Sequence, residues 1–333
     1  QACGFCGSVG VHSTDECPHS TKPEDVPKPI IAPKAGDVPQ PLPAHAPVGS
    51  VRDKFRGTLV GAVVGDCLGS AFEFRSVMHL DGRRSLEPSI VDQHTSPSRL
   101  QGGARFLRYT DDGALTLALA RSLVECQRFD GAHVARMFYQ THDAQPFRGY
   151  GGSIGNVFAQ LAELDESRRL DTCWREPATK QFNGTGSFGN GGAMRASPPA
   201  LFHASDKAML QQVAASQCQV THTHPAAVNG SVLVALAVHQ ALSTTPDAVD
   251  RRAFLQELHT AAVALDDATP SPSLPTQEPR AGISLAPKMA LTLQLLDSAD
   301  AEDVSRTLGT GVAAAESVPA ALFSVAATPP TPT

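Results

Sequence analysis

Nine segments of this chain place apolar residues three and four apart, at 53–73, 112–127, 131–141, 152–164, 207–218, 225–242, 251–265, 286–297 and 301–325. None shows the strict alternation of a half-buried strand. Segments of that period bury a common apolar stripe as helices, so the sequence predicts an all-α fold and excludes βαβ architectures. One Trp and three Tyr leave few of the aromatic side chains that strands favour. With 41% apolar and 18% charged residues, the chain has enough to bury to fold. A net charge of −6 excludes a general polyanion binder, which needs a basic face. No signal peptide is visible and no uncharged apolar run reaches about 18 residues. A soluble intracellular protein, cytoplasmic or nuclear and without membrane contact, is expected.

Four regions follow from the punctuation of the chain. Residues 1–20 hold a Cys/His cluster, and residues 21–50 hold eight prolines, which predicts a semi-extended linker. A main domain is expected over 51–328, C-terminally incomplete, with a tail at 329–333. Pro270, Pro272, Pro275 and Pro279 predict an exposed loop within it. Seven cysteines, unevenly spread, are too few for a disulfide scaffold and point to a reducing compartment. Cys3, Cys6, His12 and Cys17 resemble a CCHC zinc knuckle, with four N/S ligands for tetrahedral Zn²⁺ and His19 able to replace His12. Phe5 suits a nucleic-acid contact, but no Lys or Arg precedes Lys22, so a protein partner is at least as well supported.

Gly57, Gly61, Gly65 and Gly69 recur every four residues, on one face of the first helix. Glycine inside a helix costs about 1 kcal/mol against Ala, so the stripe predicts close approach of a neighbouring helix. Tyr109-Thr110-Asp111-Asp112 then opens the second helix. One of these residues suffices as an N-cap, whereas a hydroxyl beside two carboxylates also suits a hard cation such as Mg²⁺; both readings stand. Asp66 and Glu73, two turns apart, would share a face and add a third carboxylate as ligand or general acid, or remain solvated surface acids.

Gly151-Gly152-Ser153-Ile154-Gly155 matches a nucleophile elbow and Gly184-Thr185-Gly186-Ser187-Phe188-Gly189 a dinucleotide fingerprint, but neither follows a strand. What survives is a loop whose backbone N–H groups can cradle phosphate, flanked by Phe182 and Phe188 for stacking on a base or ribose. A tight structural turn with core aromatics is the competing reading. His222 and His224 precede a helix without further metal ligands in sequence, which points to capping or a hydrogen bond to ligand.

Taken in order, these pieces resemble the ADP-ribosylglycohydrolase family, and within it the branch that removes ADP-ribose from serine and cleaves poly(ADP-ribose). The matching text runs through residues 55–70, 109–112, 148–151, 181–195, 221–222 and 308–319. The resemblance implies an all-α hydrolase acting on ADP-ribose or ADP-ribosylated protein through two Mg²⁺ ions. It assigns Thr110, Asp111 and Asp112 to the metal, with Asp111 also catalytic, and Glu73 to the metal and to the acid near the anomeric carbon. Thr185, Gly186, Ser187, Phe188, Gly189, Asn190 and Gly191 would line the diphosphate and ribose. Phe182 would stack on adenine, and His222 and Val312 would contact the nucleotide. The family completes its metal site with a late Gly-Gly-Asp-x-Asp-Thr segment, which this sequence does not reach before Thr333, and Gly113 replaces the usual Thr. On that ground a catalytically weak ADP-ribose-binding module, a pseudoenzyme, is the alternative function.

Overall fold

Most helices near the prospective site begin where a side chain can take up amide groups that have no partner in the first turn. Ser50 accepts the Asp53 N–H at the start of α1 (Val51–Gly69). Thr110 does the same for α2 (Asp111–Cys126) and Asp130 for α3 (Gly131–Ala144), whereas Ser153 ahead of α4 (Ile154–Glu166) makes no capping bond. Asp130 accepts the His133 N–H at 3.0 Å. Two short helices follow, α5 (Leu170–Cys173) and α6 (Glu176–Thr179), then 3₁₀ turns at Gln181–Gly184 and Asn190–Gly192 and α7 (Ser197–Phe202). Asp206 caps α8 (Lys207–Cys218), and His224 caps α9 (Pro225–Leu242) through Nδ1 on the Ala226 N–H at 3.2 Å. The chain continues through α10 (Arg251–Ala268), α11 (Ala286–Leu295), α12 (Ala301–Leu308) and α13 (Ala314–Ala327). Asp266 on α10 takes the Ala286 N–H at 2.9 Å and the Asn229 amide at 3.1 Å, so it caps α11 and ties it to α9 and α10.

This computed structural model describes residues 49–70, 108–245, 249–268, 284–296 and 301–327. Cys3, Cys6, His12 and Cys17, the proline-rich linker and Glu73 lie outside the described residues. The unit beginning at Gly49 is all-α; its one β feature among the described residues is an isolated bridge between Gly189 and Ala313.

The apolar interior has two clusters. Leu115, Leu119, Leu123, Phe138, Phe158 and Leu161 bring α2, α3 and α4 together. Leu210, Leu233, Leu255, Leu258, Met289 and Leu322 join α8 to α9, α10, α11 and α13. Burying each such side chain contributes about 1.5–3 kcal/mol. Helix α9 packs against α8, α10, α13 and α7 and so runs through the second cluster. Its small residues make that possible: Gly230 lies where a Cβ would sit 3.2 Å from Ala314.

Three expectations need correction. The segment 225–242 is uncharged over 18 residues and apolar enough to span a membrane by length and composition; 56% of it is buried in the protein, as a core helix requires. The single helix expected over 301–325 is two. Gly309 turns at φ +90°, and the Glu316 carboxylate takes the Gly311 N–H at 2.8 Å, which ends one helix and starts the next. Among the described residues the glycine stripe of α1 meets no close neighbour: Cβ atoms built on Gly57, Gly61, Gly65 or Gly69 reach no described atom within 4 Å. Helix α1 meets the domain through other side chains. Lys54 donates to the carbonyls of Leu242 (2.7 Å) and Thr244 (3.1 Å) at the end of α9, and Asp66 reaches the start of α2.

Candidate functional site

The start of α2 carries the acid cluster, and its amides are satisfied from another helix. Asp66 accepts the Thr110 N–H at 2.8 Å, the Thr110 hydroxyl at 2.6 Å and the Gly113 N–H at 2.9 Å. A Cβ on residue 113 would sit 2.8 Å from the Asp66 carboxylate, so glycine there admits the acid. Thr110 Oγ1 also lies 3.4 Å from the Asp112 N–H and from Asp112 Oδ1. Capping is therefore performed by Asp66 and Thr110 together. A carboxylate near the positive end of a helix is favoured by the backbone dipole, which accounts for Asp66, Asp111 and Asp112 crowding one place.

Arg148 clamps the approach to this cluster. Its guanidinium donates to the Tyr109 carbonyl at 2.7 Å and to Gln145 at 2.7 Å, and it stacks over the Tyr109 ring at 3.6 Å. Its carbonyl accepts the Asp111 N–H at 2.9 Å. Among the described residues the buried Tyr150 hydroxyl has no partner; burial, reinforced by the Asp111 charge, pushes its pKa well up, so the phenol stays protonated.

Arg195 follows the glycine-rich loop in the chain. This guanidinium is wholly buried and stacks on Phe138 at 4.6 Å. Its donors reach neutral acceptors: Gln217 Oε1 at 2.8 Å, the Gln217 carbonyl at 3.2 Å and Thr221 Oγ1 at 2.6 Å. Burial pushes Arg195 down to about 10, and the charges of Cys218, Asp111 and Asp112 oppose that shift.

The loop itself holds a rare conformation. Phe182, Asn183 and Gly184 take consecutive positive φ values of 50°, 57° and 89°. Asn and Gly tolerate that region, whereas Phe does so under strain. The turn is closed by the Gly186 N–H on the Gln181 carbonyl at 3.1 Å and the Thr185 hydroxyl on the Phe182 carbonyl at 2.9 Å. Outward, the Phe182 and Phe188 rings lie 5.9 Å apart and both are half exposed. Val312 joins the same rim, because its carbonyl accepts the Asn190 N–H at 2.9 Å while the Ala314 N–H donates to Phe188 at 3.0 Å. The expectation of core aromatics is thereby replaced by an exposed aromatic edge.

Not every amide in 185–191 is available to a ligand. Those of Thr185, Gly186 and Asn190 donate to carbonyls of the chain, and that of Gly189 to the Ser187 hydroxyl at 3.3 Å. The Ser187 and Phe188 amides donate to no group among the described residues. Gly186, at φ +74°, packs where a Cβ would sit 2.8 Å from the His224 amide. Gly191 faces His222, whose Nε2 lies 2.8 Å from where a Cβ would stand. His222 Nδ1 in turn meets Thr221 Oγ1 at 2.8 Å. Burial, with the Arg195 charge adding, pushes His222 down to about 3. His224 caps α9 and places its ring 6.0 Å from Phe188.

The structure thus gathers Phe182, Thr185, Gly186, Ser187, Phe188, Gly189, Asn190, Gly191, His222 and Val312 around one loop, while Thr110, Asp111 and Asp112 stand at the start of α2 beside Asp66 and Arg148. Among the described residues no group of three or more His, Cys, Asp or Glu side chains is placed to hold a metal. Sequence reasoning missed Arg148, Arg195, Gln217 and Thr221. The one available signal was an arginine set in the small-residue run 191–200, a position that only a built polar pocket tolerates.

The sequence profile described as ADP-ribosylglycohydrolase matches residues 47–332. Among curated proteins, the chain is 37% identical over 279 residues to "ADP-ribosylhydrolase ARH3" of Gallus gallus, covering 81% of this chain and 72% of that protein. It is 37% identical over 276 residues to the Homo sapiens protein of the same name, with 81% and 72% covered. The "ADP-ribosyl-[dinitrogen reductase] glycohydrolase" of Rhodospirillum rubrum is 28% identical over 195 residues, 57% of this chain and 58% of that protein.

Proposed function

The chain belongs to the ADP-ribosylglycohydrolase family of hydrolases, and from that premise we propose that it hydrolyses ADP-ribosyl O-glycosidic bonds, on ADP-ribosylated serine or in poly(ADP-ribose), in a Mg²⁺-dependent reaction. The observation that carries the reading is the loop itself, which sets the half-exposed Phe182 and Phe188 rings 5.9 Å apart and brings His222 against Gly189 and Gly191.

The chain's own groups supply the binding. Phe182 and Phe188 present exposed ring faces on which adenine stacks, and Val312 adds apolar contact. The amides of Ser187 and Phe188, without acceptors among the described residues, suit the diphosphate, where a neutral donor on an anionic oxygen makes a charge-assisted hydrogen bond. His222 offers a further N–H. Thr110, Asp111 and Asp112 offer only oxygen donors, the chemistry that Mg²⁺ selects, so this donor set fits a hard divalent cation. Such a cation supplies Lewis-acid polarisation and orientation of the sugar oxygens. Arg148 fixes Tyr109 and the Asp111 amide and so holds the start of α2 in place. Glu73 is proposed as the acid near the anomeric carbon, where water displaces the serine or ribose oxygen through an oxocarbenium-like state. Residues 1–20 are proposed as a separate Zn²⁺-binding knuckle that contacts protein.

Calorimetry of ADP-ribose binding with and without Mg²⁺, alongside mass spectrometry of a serine-ADP-ribosylated peptide, tests the assignment. Wild-type chain binds in a Mg²⁺-dependent way and releases ADP-ribose, and Asp111→Asn loses the Mg²⁺ dependence. Unchanged affinity in that variant removes Asp111 from the metal set. Binding heat without peptide turnover replaces the hydrolase reading by the ADP-ribose-binding module.

A further inference from the structure

Among the described residues, His222 Nδ1 has one hydrogen-bond partner, the Thr221 hydroxyl at 2.8 Å. A hydroxyl has one proton and two lone pairs. Arg195, which can only donate, occupies one lone pair from 2.6 Å. The proton has two possible acceptors, His222 Nδ1 or the Cys218 carbonyl. That carbonyl already receives the His222 N–H at 2.8 Å and the Thr221 N–H at 3.0 Å, which uses both its lone pairs, and it stands 3.5 Å from the hydroxyl. The hydroxyl proton therefore goes to Nδ1. A neutral imidazole that accepts at Nδ1 carries its own proton at Nε2.

Nε2 lies on the loop side, close to Gly189 and Gly191, and takes no acceptor from the chain among the described residues. We propose that Arg195 and Thr221 are positioning residues that hold His222 in the neutral Nε2–H tautomer, so that it presents a permanent hydrogen-bond donor to an oxygen of the nucleotide in loop 185–191. The identity of that nucleotide rests on the ADP-ribose reading above; the relay itself does not. Arg195 performs this task because its own orientation is fixed. Gln217 accepts its Nε–H while donating to the Gly192 carbonyl at 2.8 Å and the Ser231 hydroxyl at 2.7 Å, so the amide cannot turn without losing both bonds. The Arg195 charge also opposes protonation of the ring it supports, which keeps Nδ1 an acceptor.

Nitrogen NMR of the full chain with ¹⁵N-labelled histidine reads the tautomer directly, the His222 signals being identified by their loss in His222→Gln. Wild type shows an unprotonated Nδ1 and a protonated Nε2. Thr221→Val, which keeps the side-chain shape, populates the Nδ1–H form and weakens ADP-ribose binding about tenfold, while Thr221→Ser restores both. A wild-type ring protonated at Nδ1 overturns the proposal without any need for a variant to fold. So does a folded Thr221→Val chain with unchanged tautomer and affinity. A chain with the Nε2–H tautomer that binds no ADP-ribose upholds the relay and sinks the functional reading.

Discussion

Replacing Asp66 by Ala removes the acceptor shared by three donors at the start of α2: the Thr110 N–H, the Thr110 hydroxyl and the Gly113 N–H, at 2.8, 2.6 and 2.9 Å. A hydrogen bond to a charged group contributes about 1.5–3 kcal/mol. Asp66 is half-buried, so water replaces part of each bond and the lower figure applies, giving a loss of about 4.5 kcal/mol. The helix-dipole contribution is contained in the same contacts and is not added. For large domains each kcal/mol lowers the thermal midpoint by about 2–4 °C, so the variant melts about 9–18 °C below wild type. Asp66→Asn keeps one carbonyl oxygen, which serves two donors at most, and falls about halfway. The assay is urea unfolding by circular dichroism with a thermal scan beside it. A loss under about 1 kcal/mol for Asp66→Ala would refute the reasoning, because α2 would then be capped adequately by Thr110 alone.

Gly191→Ala places a methyl group 2.8 Å from His222 Nε2 and pushes the ring out of the loop, so ADP-ribose affinity falls at least tenfold in calorimetry. Gly152→Ala, which meets nothing within 4 Å, leaves affinity unchanged, and equal effects of the two would remove His222 from the site. Asp165→Ala breaks the bidentate pair with Arg136 (2.8 and 2.5 Å) and the Tyr139 bond (2.7 Å), stranding a guanidinium in a site where the paired side chains are only 15% and 20% exposed. The loss is about 3 kcal/mol by chemical unfolding, with ADP-ribose binding of the folded protein retained. Stability also falls on acidification. His222 titrates near 3 when folded and near 6.5 when unfolded, so between those values the unfolded state binds the extra proton and the folded state loses ground as pH drops. Burial shifts His133, His203 and His224 the same way. Unfolding free energies measured at pH 7, 6 and 5 should decline, less steeply in His222→Gln; equal slopes would show that His222 is not protected.

The helices were legible because their information is local. Apolar spacing marks α8 and α9 to the residue, and Asp130, Asp206 and His224 announce their helices by type and place. The short helices α5, α6 and α7 left no trace, since one turn shows no period. The split of 301–325 into two helices turns on Gly309 at φ +90°, a conformation that Leu308-Gly309-Thr310-Gly311 permits but does not demand.

The candidate site divides along the same line. Residue types along the chain determined that oxygen donors cluster at 110–112, that glycines at 184–191 open a loop, and that an all-α hydrolase family is the frame. Only tertiary structure decided which acid caps α2, which loop amides remain unpaired, and that Arg195 is held by neutral partners beneath His222. The physical reason is reach: a periodicity or an N-cap is set within four residues. The Asp66–Thr110 bonds span 44 positions and the Arg195–Thr221 bond spans 26, and nothing in the local sequence states which distant groups will meet.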